Sequence, residues 1–415
     1  MKASDLVGAS PRFSVRPVSL AVRAYLMKHH LDGVILAVSG GADSLALTVC
    51  ALDQVHRLGI PAKCVTVDHG LRAESSAEAE MVASWLRNLG AEAKVWRKSA
   101  SQNGSGDGNN GSGTGNNLRT WDTLRQGAGV EGRARELRYR LLRMAAREFQ
   151  RELLEQGQSK PPVVHVLTGH TEDDQAETVL LRLGRGVSAA SLAAMRELSL
   201  LEPPAVYLGR PLLGIRRQQT AVCCKALGLT PIDDPTNYAA GPWHRADGKA
   251  LPRAAMRERV LPALEEALGQ DPVPALARLA ERLAEDEQAL AAAAMEVLAA
   301  ALVSPAGFDG SPACPGVFSA LSLSASAPLR SGSVAVSLQD LSVEVLARAP
   351  KAVRMRAYRQ FLTDWGVPGG SLQGSQLEAI DSLVVDWHGQ RAVSLPGGYR
   401  LIRKNSVSRA REEAH

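Results

Sequence analysis

Short apolar runs alternate with amphipathic stretches along the first 235 residues of the chain. The apolar runs predict four β-strands, at residues 33–38, 62–67, 92–96 and 163–167. The amphipathic stretches predict four helices, at residues 44–58, 75–89, 132–150 and 173–183. Apolar strands that are separated by helices are typical of a parallel sheet covered on both faces. In such a sheet, ligands bind beyond the carboxyl ends of the strands.

The chain is therefore predicted to be an α/β protein made of four segments. These are a parallel-sheet domain (1–240), a helical region (241–303), a low-complexity linker (304–336) and a small α+β domain (337–415). The linker is predicted from its content of Ser, Ala, Pro and Gly. The last domain combines helical patterns at 350–365 and 373–387 with a hairpin around residues 395–399. Residues 101–117 hold six Gly, five Asn and three Ser, which predicts a mobile loop whose role the sequence does not indicate.

The composition is that of a globular protein in a reducing compartment. Of 415 residues, 45% are hydrophobic and 22% charged, and no run approaches the roughly 18 apolar residues of a membrane span. The first 20 residues lack a signal-peptide pattern because Arg12, Arg16 and two prolines interrupt them. Five cysteines at irregular spacing argue against a disulfide framework. We therefore expect a cytoplasmic protein with no membrane partner, and the sequence leaves its oligomeric state, a homodimer included, open.

Basic residues cluster in three places, although the net charge is only +5. Arg and Lys outnumber acids at residues 119–151, 351–361 and 400–411. Such clusters favour a polyanionic partner such as nucleic acid, and solvated helix faces would give the same pattern. Aromatic residues make up only 4% of the chain, which argues against a platform of rings that stack on single strands.

The first predicted strand and its helix are joined by a glycine turn, Ser39-Gly40-Gly41-Ala42-Asp43-Ser44. Adjacent glycines let the backbone approach a phosphate without a Cβ atom in the way. The N–H groups at the start of the helix then face the anion, and the two serines add hydroxyl donors. The Asp43 carboxylate would repel phosphate unless a divalent cation lay between them, so Asp43 is a candidate Mg²⁺ ligand. An ordinary N-capped turn is the alternative interpretation.

This turn is not a Walker A loop, because no Gly-Lys-Ser/Thr follows at the required spacing. It resembles the SGGxDS pyrophosphate loop (PP-loop) of the N-type ATP pyrophosphatases. The resemblance implies that residues 1–240 form a nucleotide-binding domain like the adenine nucleotide alpha hydrolases. Those enzymes cleave ATP between its α and β phosphates and adenylate a carbonyl oxygen, which lets a nucleophile displace AMP.

Five further blocks narrow the resemblance to one family. They are VDHGLR (67–72), ARELRY (134–139), TGHTEDDQAETVLLR (168–182), RPLL (210–213) and DDPTN (233–237). Their order, over about residues 30–300, resembles the tRNA(Ile)-lysidine synthetases. Two blocks depart from that family. Residues 185–195 lack several glycines of its RGSGxxGLxGM segment, and its RNxxR motif survives only as Arg253 and Arg257, which puts tRNA contacts there in question.

The resemblance implies a ligase that uses ATP and Mg²⁺ to join free L-lysine to the wobble cytidine of the CAU-anticodon tRNA(Ile). The cytosine C2 carbonyl would be adenylated, and the lysine ε-amine would then release AMP and form lysidine. Lysidine pairs with A instead of G, so codon reading and aminoacylation change from Met to Ile.

The resemblance also implies roles for individual residues. The ATP-binding residues would be Ser39, Gly40, Gly41, Ala42, Asp43, Ser44, Asp68 and His69. Asp174 and Glu177 lie three apart on one helix face and would bind the substrate amine, with Glu177 helping to deprotonate it. Arg135 and Arg138 would contact phosphates or the charge that develops during adenylation. The predicted catalytic residues are thus Asp43, Asp174, Glu177 and Arg135, although helix-start acids and surface arginines would look the same.

Three other functions compete with this one. A tRNA thiolase of the same superfamily generally needs paired cysteines or an iron–sulfur cluster, and the chain has no Cys-x-x-Cys. An amide-forming synthetase that acts on a small acid, such as NAD or GMP synthetase, fits poorly with the basic C-terminal segments. A non-catalytic ATP- or tRNA-binding protein would have no need of Asp43, Asp174 and Glu177.

Overall fold

The structure is a computed structural model and divides into two compact units, Met1–Leu283 and Ala284–His415. It describes residues 2–68, 70, 74–97, 130–157, 160–184, 189–241, 244, 247–303, 319–325, 340–368 and 371–405. The predicted loop at 101–117 and the candidate residue His69 lie outside the described residues. Within the described part of the chain, no helix combines the length and the apolar character needed to cross a membrane. The division into four segments stays a prediction.

The first unit is built on a six-stranded sheet with the strand order β3-β2-β1-β4-β6-β5. The strands are β1 (Gly33–Ala37), β2 (Ala62–Asp68), β3 (Ala93–Arg97), β4 (Val164–Leu167), β5 (Leu198–Glu202) and β6 (Val206–Gly209). All neighbours are parallel except β5, which pairs antiparallel with β6. The four strands predicted from apolar runs are thus confirmed, with β1 at the centre between β2 and β4. The β5–β6 hairpin was not predicted.

Helices cover both faces of this sheet. In chain order, the helices between residues 3 and 301 are α1 (Ala3–Val7), α2 (Arg16–Lys28), α3 (Ala42–Leu58), α4 (Ser75–Asn88), α5 (Val130–Glu155), α6 (Glu172–Leu183), α7 (Ala189–Leu192), α8 (Arg217–Ala226), α9 (Pro252–Ala255), α10 (Leu261–Leu268) and α11 (Val273–Ala301), the last of which continues into the second unit. A π-helical turn, Met256–Val260, joins α9 to α10. The side chains of β1 alternate between the two faces, so Val34 and Leu36 pack with α2, α3 and α8. Ile35 faces the opposite way and packs against α5.

The second unit contains a five-stranded sheet with the order β10-β11-β8-β9-β7, in which all neighbours are antiparallel. Its strands are β7 (Leu302–Val303), β8 (Ser319–Ala325), β9 (Asp340–Ser342), β10 (Val393–Ser394) and β11 (Tyr399–Asn405). Its helices besides α11 are α12 (Val343–Arg348), α13 (Lys351–Asp364) and α14 (Gly374–Val385). The predicted hairpin around residues 395–399 is confirmed by the pairing of β10 with β11.

The prediction of a linker over residues 304–336 is wrong for Ser319–Ala325, which form β8, the middle strand of the second sheet. This strand pairs with β11 along its whole length. Its sequence alternates serine and alanine with Leu321 and Leu323, and both leucines are buried in the core of the unit. Successive side chains of a strand point to opposite faces of the sheet, so Leu321 and Leu323 lie on the same, buried face. The low-complexity composition hid that alternation.

A buried ion pair joins α13 to α14 in the second unit. The Arg354 guanidinium donates to both carboxylate oxygens of Asp381, at 2.8 and 3.0 Å, and the Tyr358 hydroxyl donates to the same carboxylate. Asp381→Ala is expected to lower the free energy of unfolding by about 3 kcal/mol, because it leaves a buried guanidinium without its counter-charge. Urea unfolding of the full chain, followed by tryptophan fluorescence, measures this loss.

The same two helices provide the control. Lys351 on α13 pairs with Glu378 on α14 at 2.7 Å, and both side chains are more than half exposed (57% and 55%). Exposed pairs contribute little to stability, so Lys351→Ala should leave the unfolding transition unchanged. If both variants unfold at the same urea concentration, burial of the Arg354–Asp381 pair has no special role.

Candidate active site

The glycine turn lies at the carboxyl end of β1 and leads into α3. Gly40 has φ +86°, and a Cβ atom there would lie 2.8 Å from Cδ1 of Ile232, whose backbone N–H donates to the Gly40 carbonyl at 2.9 Å. The Ser44 hydroxyl donates to the Gly41 carbonyl at 2.9 Å, and the Ser39 hydroxyl donates to Ser44 Oγ at 3.1 Å. The turn thus combines hydroxyl groups with the N–H groups of a helix N-terminus, which is the setting of many phosphate sites.

A second glycine brings the end of β4 against this turn. A Cβ atom on Gly169 would lie 2.8 Å from the carbonyl carbon of Asp43 and 2.9 Å from the amide nitrogen of Ser44. Only a glycine allows the backbone to approach so closely. Because β1 and β4 are parallel neighbours, the glycine turn after β1 and the block at residues 168–182 after β4 lie at the same edge of the sheet.

The Asp43 carboxylate lies in the first turn of α3 and points toward α8. It accepts a hydrogen bond from the Thr220 hydroxyl, and Arg217 Nε is 3.6 Å from its Oδ2 atom. The pKa of Asp43 is raised to about 6: burial is the main cause and the negative charge of Asp174 adds to it, while Thr220 and Arg217 act in the opposite direction. This carboxylate is therefore held in an environment that disfavours its charged form.

Asp174 is fixed by the N-terminal cap of α6. Its Oδ2 atom accepts hydrogen bonds from the Thr171 amide at 2.9 Å and from the Thr171 hydroxyl at 3.0 Å. Its Oδ1 atom accepts from Nη2 of Arg217 at 2.8 Å. Burial opposes ionisation, but Arg217, His170 and the Thr171 amide outweigh it and lower the pKa of Asp174. Asp174 is therefore ionised at neutral pH.

Glu177, one turn further along α6, has no solvent-exposed side-chain surface (0%). Its Oε1 atom accepts from Arg217 Nη1 at 3.1 Å and from Arg257 Nε at 2.9 Å. Arg253 Nη1 is 4.0 Å from both Asp174 Oδ1 and Glu177 Oε2. Three carboxylates, from α3 and α6, thus meet arginines from α8, α9 and the π-helical turn. A buried set of this kind can bind a cation, take up a proton or orient an amine.

The comparisons with known proteins agree with this geometry. A family model described as a PP-loop domain matches residues 18–264. The tRNA(Ile)-lysidine synthase of Nocardia farcinica (strain IFM 10152) is 36% identical over 383 residues, which cover 91% of each chain. The same enzyme from Salinispora tropica is 36% identical over 392 residues, or 94% of each chain.

The chain belongs to the tRNA(Ile)-lysidine synthase family. It is therefore a ligase of the PP-loop class that uses ATP, and the predicted family and α/β fold are confirmed. Among solved structures, the U34-tRNA thiolase NcsA from Methanococcus maripaludis superposes with a TM-score of 0.45 at 19% identity, covering 66% of this chain and 79% of that one.

Asp68, predicted to line the nucleotide pocket, is engaged in its own turn. Its Oδ1 atom accepts from the Gly70 amide at 2.9 Å and from the Ser75 hydroxyl at 2.8 Å, while the Ser76 hydroxyl donates to Oδ2. These hydrogen bonds lower the pKa of Asp68 against the effect of its burial. Asp68 thus anchors the start of α4 at the carboxyl end of β2. Its role toward nucleotide stays a prediction.

Arg135 and Arg138 lie on α5. The Arg135 guanidinium stacks over the Tyr139 ring at 5.1 Å. The pKa of His170 is lowered to about 3: burial is the main cause, Asp174 opposes it, and the positive charges of Arg210, Arg135 and Arg253 act in the same direction as burial. His170 is therefore neutral at pH 7, and the Arg135 guanidinium lies close enough to His170 to act on it electrostatically. The individual roles of Arg135 and Arg138 stay predictions.

Arg217 is the residue that sequence reasoning missed, although it contacts all three predicted carboxylates. It follows the RPLL block by four positions, and that block was used only to recognise the family. Arg257 was considered for tRNA contact, whereas here its guanidinium donates to Glu177. Nothing in the sequence around Arg217 set it apart from the neighbouring basic residues.

Proposed function

We propose that this chain joins L-lysine to C2 of the wobble cytidine of tRNA(Ile) with the CAU anticodon, in the cytoplasm. The cytosine O2 attacks the α-phosphorus of ATP and releases diphosphate. The lysine ε-amine then attacks C2 and releases AMP together with that oxygen. The observation that carries the proposal is the meeting of the glycine turn with Asp43, Asp174 and Glu177 at the ends of two parallel strands.

The turn is the part that holds the triphosphate. Its N–H groups at the start of α3 and the hydroxyls of Ser39 and Ser44 supply donors without adding charge. A fixed set of donors stabilises the charge that grows on phosphate oxygens during adenylation. Arg135 is proposed to act on the same charge from α5.

The residues at the turn fit Mg²⁺. This ion keeps several waters and usually takes one or two protein carboxylates together with substrate phosphates. Asp43 supplies a carboxylate beside the phosphate donors, with a second at Asp174 close enough to raise its pKa. Among the residues that the structure describes, no group of three or more His, Cys, Asp or Glu could form a full protein cage. Bound there, Mg²⁺ would neutralise phosphate charge.

Asp174 and Glu177 are proposed to bind the lysine amine. The attacking amine must be neutral, so a base must accept a proton from its ammonium form. Glu177 is buried among guanidinium groups and lies one helical turn from Asp174, which places two carboxylates where one amine can contact both. Arg253 and Arg257 keep the charge of this pair balanced.

The decisive experiment is mass spectrometry of nucleosides. Purified enzyme, ATP, Mg²⁺ and lysine are incubated with tRNA(Ile) carrying CAU, and the digested tRNA is searched for lysidine at the wobble position. The initiator tRNA, which carries the same anticodon, is the matched control. Lysidine in tRNA(Ile) alone supports the proposal. A sulfur-containing nucleoside, or ATP consumption without any change in the tRNA, would contradict it.

A further inference from the structure

One guanidinium group contacts all three carboxylates of the site. Arg217 donates from Nη2 to Asp174 at 2.8 Å and from Nη1 to Glu177 at 3.1 Å, while its Nε atom is 3.6 Å from Asp43. The two contacts to α6 are hydrogen bonds, and the one to the glycine turn is a looser ion pair. Arg217 therefore spans the proposed nucleotide and lysine sites and is held more tightly on the lysine side.

The backbone of Arg217 is fixed while its side chain is long. Arg217 is the first residue of α8, and its amide donates to Asp173 at 2.8 Å. The side chain is one-quarter exposed (25%), so it is not locked in the core. An arginine anchored in this way can exchange partners by rotating its side chain without movement of the helix.

The carboxylate oxygens of the lysine site already accept hydrogen bonds from Thr171 and from two arginines. Asp174 Oδ2 already accepts two hydrogen bonds from Thr171, and its Oδ1 accepts from Arg217. Glu177 Oε1 accepts from both Arg217 and Arg257. Each carboxylate oxygen has about two acceptor positions. A substrate ammonium therefore competes with Arg217 for the same oxygens, and it also adds a positive charge beside two or three others.

We propose that Arg217 is a positioning residue that links the two substrate sites. It neutralises Asp174 and Glu177 while no amine is bound. When the ammonium of lysine takes its place, the guanidinium turns toward Asp43 and the phosphates of the bound nucleotide. Lysine displaces the Arg217 guanidinium from Asp174 and Glu177, and the phosphates of the nucleotide attract the same guanidinium. Each substrate therefore favours the binding of the other. This inference rests on the proposed function.

The test is calorimetric titration of lysine, at pH 8, with and without the non-cleavable analogue α,β-methylene ATP. In the wild type, the analogue should tighten lysine binding about tenfold. In Arg217→Gln the competing cation is gone, so lysine alone should bind about tenfold more tightly than to the wild type. The analogue should then change that affinity less than twofold. A residue that simply held the fold, or that bound lysine directly, would weaken binding instead.

Two further variants make the result decisive. Arg216→Gln removes the adjacent arginine, which pairs with Asp173 and Asp271 and not with the three carboxylates, and should behave as the wild type. Arg217→Lys keeps one charge but cannot span both sites. It should bind lysine alone within about twofold of the wild type and lose at least half of the nucleotide effect, which serves as the test if Arg217→Gln does not fold.

The outcomes separate the inference from the function on which it rests. If the wild type gives no heat with lysine under either condition, the proposed function itself fails. If the wild type binds lysine but Arg217→Gln binds it equally or more weakly and keeps the nucleotide effect, the function stands and the role of Arg217 is overturned.

Discussion

Replacing Glu177 with glutamine is expected to slow lysidine formation at least about 100-fold, because a positioned general base contributes that much or more. The glutamine side chain cannot take the proton from the amine, and it leaves Arg217 and Arg257 without one of their counter-charges. Adenylation should continue, since Glu177 does not contact the glycine turn. The measurement is therefore paired: lysidine by mass spectrometry, and tRNA-dependent exchange of diphosphate into ATP, which should stay within a few-fold of the wild type.

The control for this prediction lies on the same helix. Glu172, in the first turn of α6, has Arg216 Nε at 3.9 Å and takes no part in the three-carboxylate set. Glu172→Gln should leave both assays unchanged. Glu177→Asp keeps the charge and should preserve the thermal unfolding temperature that Glu177→Gln lowers. Equal loss of both half-reactions in Glu177→Gln would mean that Glu177 supports the fold and not the amine.

The glycine turn and the strands around it could be predicted from the local sequence. Val34, Ile35 and Leu36 are all buried, because a central parallel strand is covered on both faces, and that makes an uninterrupted apolar run readable as a strand. The glycines at 40 and 41 mark the turn, and α3 begins directly after them. Local pattern and tertiary position agree here, so the prediction needed no knowledge of distant contacts.

The contacts of Arg217 with the carboxylates could not be predicted from the sequence, because they depend on residues that are far apart in the chain. Arg217 meets Asp174 and Glu177 from 43 and 40 residues away, and nothing in the pattern around it distinguishes it from the other basic residues. Its position depends on β1 and β4 being neighbours and on α8 packing beside α3. Asp68 shows the same limit: its place at a strand end predicts a ligand pocket, whereas its carboxylate bonds to its own turn.

Replacing Asp43 with asparagine is expected to lower diphosphate exchange by about 100-fold or more, since it removes the carboxylate that we propose to act beside the phosphates of ATP. The same change should stabilise the fold at pH 8, measured by urea unfolding of metal-free protein in a chelating buffer. The reason is the raised pKa of Asp43, about 6 against the ordinary 3.8. The unfolded chain releases this proton at lower pH than the folded one, so the wild type loses stability as the pH rises from 4 to 6.

The size and the pH range of that effect identify its cause. Because the pKa of Asp43 lies about two units above its ordinary value, the wild type loses about 2–3 kcal/mol of stability as the pH rises. This loss is complete above pH 6 and absent below about pH 4. The asparagine variant should therefore match the wild type near pH 4 and exceed it by about that amount at pH 8. If the variant is less stable than the wild type at pH 8, Asp43 holds the fold together through Thr220 and Arg217. If the variant is more stable than the wild type but inactive, the ionised Asp43 carboxylate lowers the stability of the fold and is needed for activity.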